Sequence, residues 1–261
     1  MIRSDALSWR FLQVWKRNLV VYQKIWKVNF LTPLFEPLFY LLAFGMGFSG
    51  LIDGVNYGGK ELTYTEFIAP ALIATAVMWN AFFETTYASF VRMYYQKTFD
   101  GMLATPLSLE EIIIAEVFWS ATKSVGAATI MLTVLSVLGY VALPSGLLLI
   151  PVALVGGLAF GAIGMFFTGV VPTIDMFNLP IFLFITPMFL FSGTFFPISN
   201  LPGWAQPAAL AFPLYHLAEL ARRFSIGTSE TAPIISLIYL ILFFLFFIFL
   251  ALSAMRRRLI Q

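Results

Sequence analysis

Residues 147–171 read LLLIPVALVGGLAFGAIGMFFTGVV, an apolar run without any Asp, Glu, Lys or Arg. A helix needs about 20 mostly apolar residues to cross the hydrocarbon core of a bilayer, so this run predicts a transmembrane helix. Further runs of this kind lie at residues 31–51, 67–91, 120–143, 177–196 and 234–254. The sequence therefore predicts an all-α, polytopic membrane protein with six transmembrane helices.

The composition of the whole chain agrees with this fold class. Of its 261 residues, 60% are hydrophobic and only 11% are charged, whereas soluble domains carry about 25% charged residues. Transmembrane barrels have short alternating segments instead of unbroken apolar runs, so the helical class is favoured. Residues 1–27 contain no central apolar run, and we expect no cleavable signal peptide.

The positions of Lys and Arg predict the orientation in the membrane. With the N-terminus inside, the outer segments hold only Lys60, Arg222 and Arg223 of the 15 basic residues. Cytoplasmic segments of membrane proteins carry an excess of Lys and Arg. We therefore expect both termini to lie in the cytoplasm.

Residues 1–29 are predicted to form an amphipathic helix in the membrane interface, and residues 30–261 a single six-span domain. Apolar residues recur at helical spacing, and basic residues occupy the remaining positions. The apolar face comprises Phe11, Trp15, Leu19, Tyr22 and Trp26. Such a helix lies in the headgroup plane. It either only anchors the chain or also contacts a cytoplasmic partner.

Prolines and glycines mark irregular or closely packed spans. Pro33 and Pro37 interrupt the first span, and Pro180 and Pro187 interrupt the fifth. Membrane helices tolerate such breaks where protein or water satisfies the freed carbonyls. The motif at residues 157–161, GLAFG, places two glycines four apart, which permits close helix contact. We favour packing within one subunit over a dimer interface.

Four ionisable residues are predicted at or near membrane depth, where such groups usually face a cavity or a partner. They are Glu36, Glu84, Glu116 and Lys123. Glu116 and Lys123 lie two helical turns apart on one face, which predicts an ion pair or snorkelling side chains at the interface. Glu36 and Glu84 either line a translocation path or make polar packing contacts.

Few kinds of enzyme site are compatible with the sequence. The chain has no Cys and a single His, His216, which excludes thiolate sites and two-His metal sites within one chain. Residues 54–60, GVNYGGK, match the spacing of a phosphate-binding loop, but Glu61 stands where Ser or Thr would hold magnesium. We therefore expect no enzyme activity, catalytic residue, metal or cofactor. If ATP drives the function, another polypeptide must bind it.

The loop at residues 97–111, KTFDGMLATPLSLEE, is the densest polar region. Ser108 and Glu111 match a capping box that begins the next helix, and Pro106 separates that helix from the preceding turns. The preceding turns would form a short helix whose apolar face comprises Phe99, Met102 and Leu103. This helix either docks to another protein or lies on the bilayer surface.

The outer segment, residues 197–230, is too apolar for a free loop, and two short re-entrant helices are predicted there. Pro213 is suited to begin a helix that ends near Gly227. Its polar face comprises His216, Glu219 and Arg223, with the last two at the favourable i, i+4 spacing. This face is either a local ion-pair network or a gate or lipid-headgroup contact at the exit.

Three pieces of sequence combine into a family pattern. They are residues 67–72 (FIAPAL), the residues Phe83, Glu84, Tyr87, Arg92 and Met93, and residues 97–108 (KTFDGMLATPLS). In these pieces, and along essentially its whole length, the chain resembles the ABC-2 type permeases. It is most similar to their nodulation-factor-exporter branch, whose relatives include polysaccharide and drug exporters.

The resemblance implies a permease subunit of an ATP-driven exporter in the inner membrane of a prokaryote. A separate cytoplasmic ATP-binding subunit would hydrolyse ATP, and a second copy or a related permease would complete a dimer. A lipidic, glycan-linked or hydrophobic substrate would move outward between the two permease subunits. Membrane lipids are further partners, and no nucleic acid is expected.

The resemblance also assigns roles to the residues quoted above. The helix that couples the permease to the ATP-binding subunit would comprise Phe99, Asp100, Met102 and Leu103. The exit gate would comprise Trp204, His216, Glu219 and Arg223. The alternative function is an ion-coupled secondary transporter. It is disfavoured because the broken spans, the first and the fifth, do not occupy equivalent positions in two three-span halves.

Overall fold

The computed structural model describes residues 8–48 and 54–259 of the chain. The first helix, α1, spans Phe11–Phe48, and an antiparallel hairpin of β1 (Val55–Tyr57) and β2 (Lys60–Leu62) follows it. This hairpin contains most of the stretch that resembles a phosphate-binding loop. A phosphate-binding loop leads into a helix N-terminus, whereas this turn leads into a strand.

Helices form almost all the remaining elements. The helix α2 (Tyr64–Phe83) continues through two π-helical segments, Glu84–Ala88 and Val91–Tyr95. The later helices are α3 (Thr98–Leu103), α4 (Leu109–Val137), α5 (Leu143–Gly146), α6 (Leu149–Val170), α7 (Asn178–Pro180), α8 (Thr186–Phe191), α9 (Gln206–Leu210), α10 (Pro213–Ile226) and α11 (Pro233–Leu259).

Five helical stretches within the described residues are long and apolar enough to cross a membrane. They are Tyr64–Tyr95, Leu109–Val137, Leu143–Val170, Ile174–Phe191 and Pro233–Leu259. These stretches correspond to five of the six predicted spans, and the prediction of an all-α polytopic membrane protein is confirmed. The predicted first span, 31–51, lies partly outside the described residues, as do the side chains of Pro33, Glu36 and Pro37.

The boundary between the predicted interfacial helix and the first span is not marked by a break. One helix, α1, runs from Phe11 to Phe48 and includes both. The helix α4 begins at Leu109, as predicted from its capping box, and therefore starts before the predicted span, 120–143. The Ser108 side chain accepts from the Glu111 backbone N–H at 3.2 Å, as the predicted capping box requires. The charged residues after Leu109 belong to the helix because the protein buries them.

The helix α6 occupies the centre of the bundle and packs against α2, α4 and α11. Its glycines allow the close approach. A Cβ added at Gly157 would lie 2.7 Å from the Cα of Ala121 in α4, and one at Gly161 would lie 2.2 Å from the Ser120 hydroxyl. The prediction that this glycine pair packs within one subunit is therefore confirmed.

The predicted fifth span is irregular, as its prolines indicate. A 3₁₀ turn at Ile174–Phe177 leads into α7, and a π-helical segment, Ile181–Ile185, separates α7 from α8. The helix α10 begins at Pro213 and ends at Gly227, whose φ of 75° terminates it, as predicted.

Candidate functional site

Four charged side chains meet between α2 and α4, and we name them the Arg92 cluster: the buried Glu84 and Glu116 and the half-buried Arg92 and Lys123. Arg92 donates from Nη1 to Glu84 Oε1 at 2.8 Å and from Nε to Glu116 Oε2 at 2.9 Å. Lys123 Nζ donates to Glu84 Oε2 at 2.7 Å. Two positive and two negative charges therefore balance inside the protein, which limits the cost of burying them.

Neutral donors complete the Arg92 cluster from three helices. Asn18 of α1 donates from Nδ2 to Glu116 Oε1 at 2.8 Å, and Trp119 of α4 donates from Nε1 to Glu84 Oε1 at 3.1 Å. The Ser89 hydroxyl donates to Glu116 Oε2 at 2.5 Å. The cluster thus ties α1, α2 and α4 together by hydrogen bonds that all end on two carboxylates.

The predicted ion pair of Glu116 with Lys123 along one helix face is wrong. Glu116 pairs with Arg92, and Lys123 pairs with Glu84. The π-helical segment Glu84–Ala88 precedes Arg92 and adds an extra residue, which rotates the later side chains of that helix around its axis. No sequence signal marked this change of register. Glu84 makes polar packing contacts, while the side chain of Glu36 lies outside the described residues.

The predicted coupling helix exists as α3, but its faces differ from the prediction. Phe99 is fully buried, in a core cluster that includes Phe90, Ile112 and Phe177. Met102 and Leu103 are half-buried against the same cluster. The expectation that all three are free for a partner is therefore wrong for Phe99, because residues from α2, α4 and the fifth span cover it. The exposed positions of α3 are Asp100 and Gly101.

A second buried cluster, the Arg222 cluster, comprises Tyr57, Glu219 and Arg222. Glu219 accepts from the Tyr57 hydroxyl, from Arg222 Nη1 at 3.4 Å, and from the backbone N–H of Thr231 at 3.0 Å. Arg222 also donates from Nη2 to the Gly193 carbonyl at 2.5 Å. Its guanidinium carbon lies 4.0 Å from the ring centroid of Phe67, a favourable cation–π distance.

The predicted gate residues do not come together as expected. Arg223 is exposed and donates to the Gly227 carbonyl at 2.9 Å, so the expected pair of Glu219 with Arg223 is wrong. Glu219 pairs instead with Arg222, three residues later. Trp204 is 81% exposed. Sequence reasoning missed Arg222 because two adjacent arginines offer Glu219 two equally acceptable helical spacings.

His216 is buried beside α11 and apart from the Arg222 cluster. Its Nε2 lies 2.9 Å from the Leu210 carbonyl, and its Nδ1 lies 3.2 Å from the Ser236 hydroxyl. A carbonyl only accepts, so Nε2 carries the proton and Nδ1 accepts from Ser236. The ring stacks on Tyr239 with centroids 4.0 Å apart. Burial lowers the pKa of His216, which favours the neutral imidazole.

Apolar spanning helices, closely packed glycines and two satisfied buried ionic clusters define a polytopic helical membrane protein. The sequence profile of the ABC-2 type transporter family matches residues 10–225. The chain therefore belongs to the ABC-2 type transporter family, as its sequence pattern predicts, and is a transporter permease. Permeases of this family work with ATP-binding subunits.

Individual relatives agree with the family assignment. The chain is 36% identical to nodulation protein J of Rhizobium leguminosarum bv. trifolii over 258 residues, which cover 99% of this chain and 96% of that protein. It is 33% identical to nodulation protein J of Rhizobium meliloti (strain 1021), with 98% and 96% covered. It is 25% identical to the probable multidrug ABC transporter permease YbhR of Escherichia coli (strain K12), with 64% and 46% covered.

Proposed function

We propose that the chain is the membrane-spanning subunit of an ATP-driven exporter and that a separate cytoplasmic ATP-binding subunit docks on α3. The observation that carries this proposal is the two-sided character of α3. Phe99 is anchored in the core, while Asp100 and Gly101 are exposed beside the exposed rings of Tyr94 and Tyr95. A partner can therefore bind the exposed face of α3, while the buried face transmits the movement to the core.

The buried face of α3 leads to the Arg92 cluster. Phe99 shares its core cluster with Phe90 and Met93, which flank Arg92 in the continuation of α2. A displacement of α3 would therefore move Arg92 relative to Glu116 of α4. Packed cores respond to such displacements by switching between discrete arrangements. We assign the Arg92 cluster the role of transmitting the ATPase stroke to α1, α2 and α4.

Two open glycines provide a matched test of the docking surface. A Cβ at Gly101 or at Gly203 would meet no heavy atom within 4 Å, so both positions offer open space for a side chain. We expect Gly101→Trp to abolish copurification of the ATP-binding subunit from native membranes, and Gly203→Trp, in the outer segment, to leave it unchanged. Equal copurification with both variants would contradict docking at α3.

The arrangement of the chain supports six crossings with both termini in the cytoplasm of a prokaryotic inner-membrane protein. Ser8 donates to Glu111, and Arg256 Nε donates to Glu110 Oε1 at 2.6 Å, so both ends of the described chain meet at the start of α4. Two ends on one side require an even number of crossings. The five candidate spans then need α1 as the sixth.

The substrate path is proposed to run between two copies of the permease, or between this chain and a related one. Large apolar side chains are exposed on α1, α2 and the fifth span: Phe35, Phe39, Leu42, Phe83, Phe182 and Leu183. Phe83 also stacks on Trp79 with ring centroids 4.9 Å apart. Such rings suit a lipidic, glycan-linked or hydrophobic substrate, because they offer apolar faces for stacking.

The path is tested by cargo that copurifies with the complex and is identified by mass spectrometry. We expect Phe83→Ala to reduce the bound cargo, whereas Phe246→Ala, which removes an exposed ring from α11, should not. Equal cargo in both variants would contradict a path along α2. Transport into vesicles should require ATP, and transport driven by an ion gradient alone would support the secondary-transporter alternative.

The outer segment is proposed to form the exit gate, with the Arg222 cluster holding it in place. Trp204 is its most exposed large side chain and the most available for contact with substrate or lipid. A cysteine introduced at Trp204 should react with an impermeant thiol reagent added outside. Reaction only from the cytoplasmic side would contradict the proposed orientation.

A further inference from the structure

A crevice of about 520 Å³ lies between the end of α6 and the end of α11. Its lining is mostly apolar, and two arginines near the end of α11 also contribute to it. The residues that line it include Phe166, Val170, Leu250, Ser253, Arg257 and Arg258. The crevice is separate from both the Arg92 cluster and the Arg222 cluster, and the proposed function gives it no role.

The two arginines of the crevice differ from Arg256, their neighbour. Arg256 forms an ion pair with Glu110 of α4. Neither Arg257 nor Arg258 forms an ion pair with any described carboxylate. Two uncompensated positive charges therefore border an apolar crevice.

The position of Arg258 is fixed by backbone carbonyls in the last turn of α6 and just beyond it. Its Nη1 donates to the Thr168 carbonyl at 2.6 Å, and its Nη2 donates to the Pro172 carbonyl at 3.4 Å. Arg257 is exposed. One charge is therefore held in place at the crevice, while the other is free to reach a ligand.

The apolar walls of the crevice continue onto a surface suited to acyl chains. Val170 is exposed at the end of α6, and α11 exposes Phe246 and Phe249 along its length. A stretch of α11 that is long and apolar enough to span a membrane will present these rings to lipid. A ligand that fits must therefore combine a negatively charged group with an apolar chain.

We propose that this crevice binds an anionic phospholipid, with its phosphate at Arg257 and Arg258 and an acyl chain between α6 and α11. Basic pockets between transmembrane helices suit such headgroups. A soluble phosphate would leave the apolar walls unused, and a neutral lipid would leave both charges uncompensated. The site would help hold the C-terminal end of α11 against α6.

Native mass spectrometry of the full chain in detergent, with phosphatidylglycerol or phosphatidylcholine added, tests the proposal. We expect Arg257→Ala to weaken phosphatidylglycerol binding about fivefold, the loss that corresponds to roughly 1 kcal/mol for one basic residue near a membrane. Arg257 is chosen because Arg258 also holds backbone carbonyls. Phosphatidylcholine binding should not change. Lys16→Ala, which removes an exposed charge from α1, is the matched control and should bind like the unmodified chain.

A second variant tests the apolar part of the site without changing the charge. Ser253→Trp should fill the crevice and reduce phosphatidylglycerol binding at least as much as Arg257→Ala. Soluble glycerophosphate should not compete with the lipid. Equal losses in Arg257→Ala and Lys16→Ala would show only diffuse attraction and overturn the proposal. Normal lipid binding by Ser253→Trp, or efficient competition by glycerophosphate, would overturn it as well.

Discussion

The Arg92 cluster and the Arg222 cluster bury charge in two different ways. In the Arg92 cluster, two cations and two carboxylates bond mainly to one another, and the hydrogen bonds join side chains of helices. In the Arg222 cluster, a single guanidinium serves one carboxylate and several backbone carbonyls, including those of Gly193 and Phe67. The first cluster links side chains of three helices, whereas the second also holds the irregular backbone at Gly193 and Thr194.

This difference predicts different responses to the loss of one charge. A member of the Arg92 cluster can be lost while the remaining groups still find partners among themselves. Among the contacts described, no other charged side chain donates to the carbonyls that Arg222 binds. The Arg222 cluster should therefore be the more fragile of the two, and the Arg92 cluster the better suited to rearrange during transport.

The largest effect is expected for Arg222→Met. This change leaves Glu219 without its cation and the Gly193 carbonyl without its donor, and we expect a loss of about 3–5 kcal/mol of stability, as for other broken buried pairs. The thermal midpoint in detergent, followed by tryptophan fluorescence, measures it. Arg223→Met is the matched control, because Arg223 is exposed, and its effect should stay within about 0.5 kcal/mol.

A smaller effect is expected for Lys123→Met in the Arg92 cluster. Glu84 keeps its bonds to Arg92 and Trp119, so only one charged hydrogen bond is lost, which typically contributes about 1.5–3 kcal/mol. The same unfolding measurement applies, with Lys24→Met on the exposed face of α1 as the control. A loss as large as that of Arg222→Met would show that the Arg92 cluster cannot redistribute its bonds.

Much of the fold could be predicted because its signals are local. Apolar runs predict spans, Ser108 with Glu111 predicts the start of α4, and Pro213 with Gly227 predicts both ends of α10. Each of these signals depends on residues within a few turns of one another. The α-helical class and the family pattern follow from the same kind of information.

The partners within each cluster could not be predicted because they depend on helix rotation and on contacts distant in sequence. Arg92, which reaches Glu116, lies within the second of two π-helical segments, and no residue pattern predicts these segments. Glu219 chooses Arg222 over Arg223 because carbonyls from residues near 193 and 67 surround Arg222. Phe99 is buried by α4 and the fifth span, and the six residues of α3 alone do not predict this burial.

His216, which belongs to neither cluster, makes the stability of the fold depend on pH. Its pKa is lowered by burial, so the unfolded chain binds a proton more readily than the folded one. Stability should be fully present above the unfolded pKa of about 6.5 and should decrease as the pH falls below it. The decrease should be smaller than the effect of Lys123→Met, because only one neutral hydrogen bond, from Ser236, is lost.

Unfolding midpoints between about pH 7.5 and about pH 5.5 test this dependence, above the range in which ordinary carboxyl groups titrate. His216→Gln is the matched control, because an amide can donate to the Leu210 carbonyl and accept from Ser236 without titrating. The variant should lose this part of the pH dependence. An unchanged pH profile in His216→Gln would assign the dependence to another group.

The smallest effects are expected at two helix ends that adopt the same backbone conformation with different residues. Gly227 ends α10 with φ of 75°, and Lys97 precedes α3 with φ of 52°. A left-handed conformation costs an L-residue roughly 1–2 kcal/mol, whereas glycine adopts it freely. Gly227→Ala should therefore lower stability by about 1 kcal/mol, since its Cβ would meet only Lys60 Nζ at an ordinary 3.6 Å.

Lys97→Gly should act in the opposite direction, because it removes the steric cost at Lys97. The gain should stay below about 1 kcal/mol, since glycine also gains freedom in the unfolded chain. The Lys97 ammonium lies 5.3 Å from the Tyr94 ring centroid and 3.9 Å from Asp100, but both contacts are exposed and contribute little. Opposite shifts of the thermal midpoint in the two variants would show that backbone conformation dominates at both ends. A lower thermal midpoint with Lys97→Gly would show that the contacts with Tyr94 and Asp100 outweigh the backbone strain. Backbone conformation would then determine stability at Gly227 but not at Lys97.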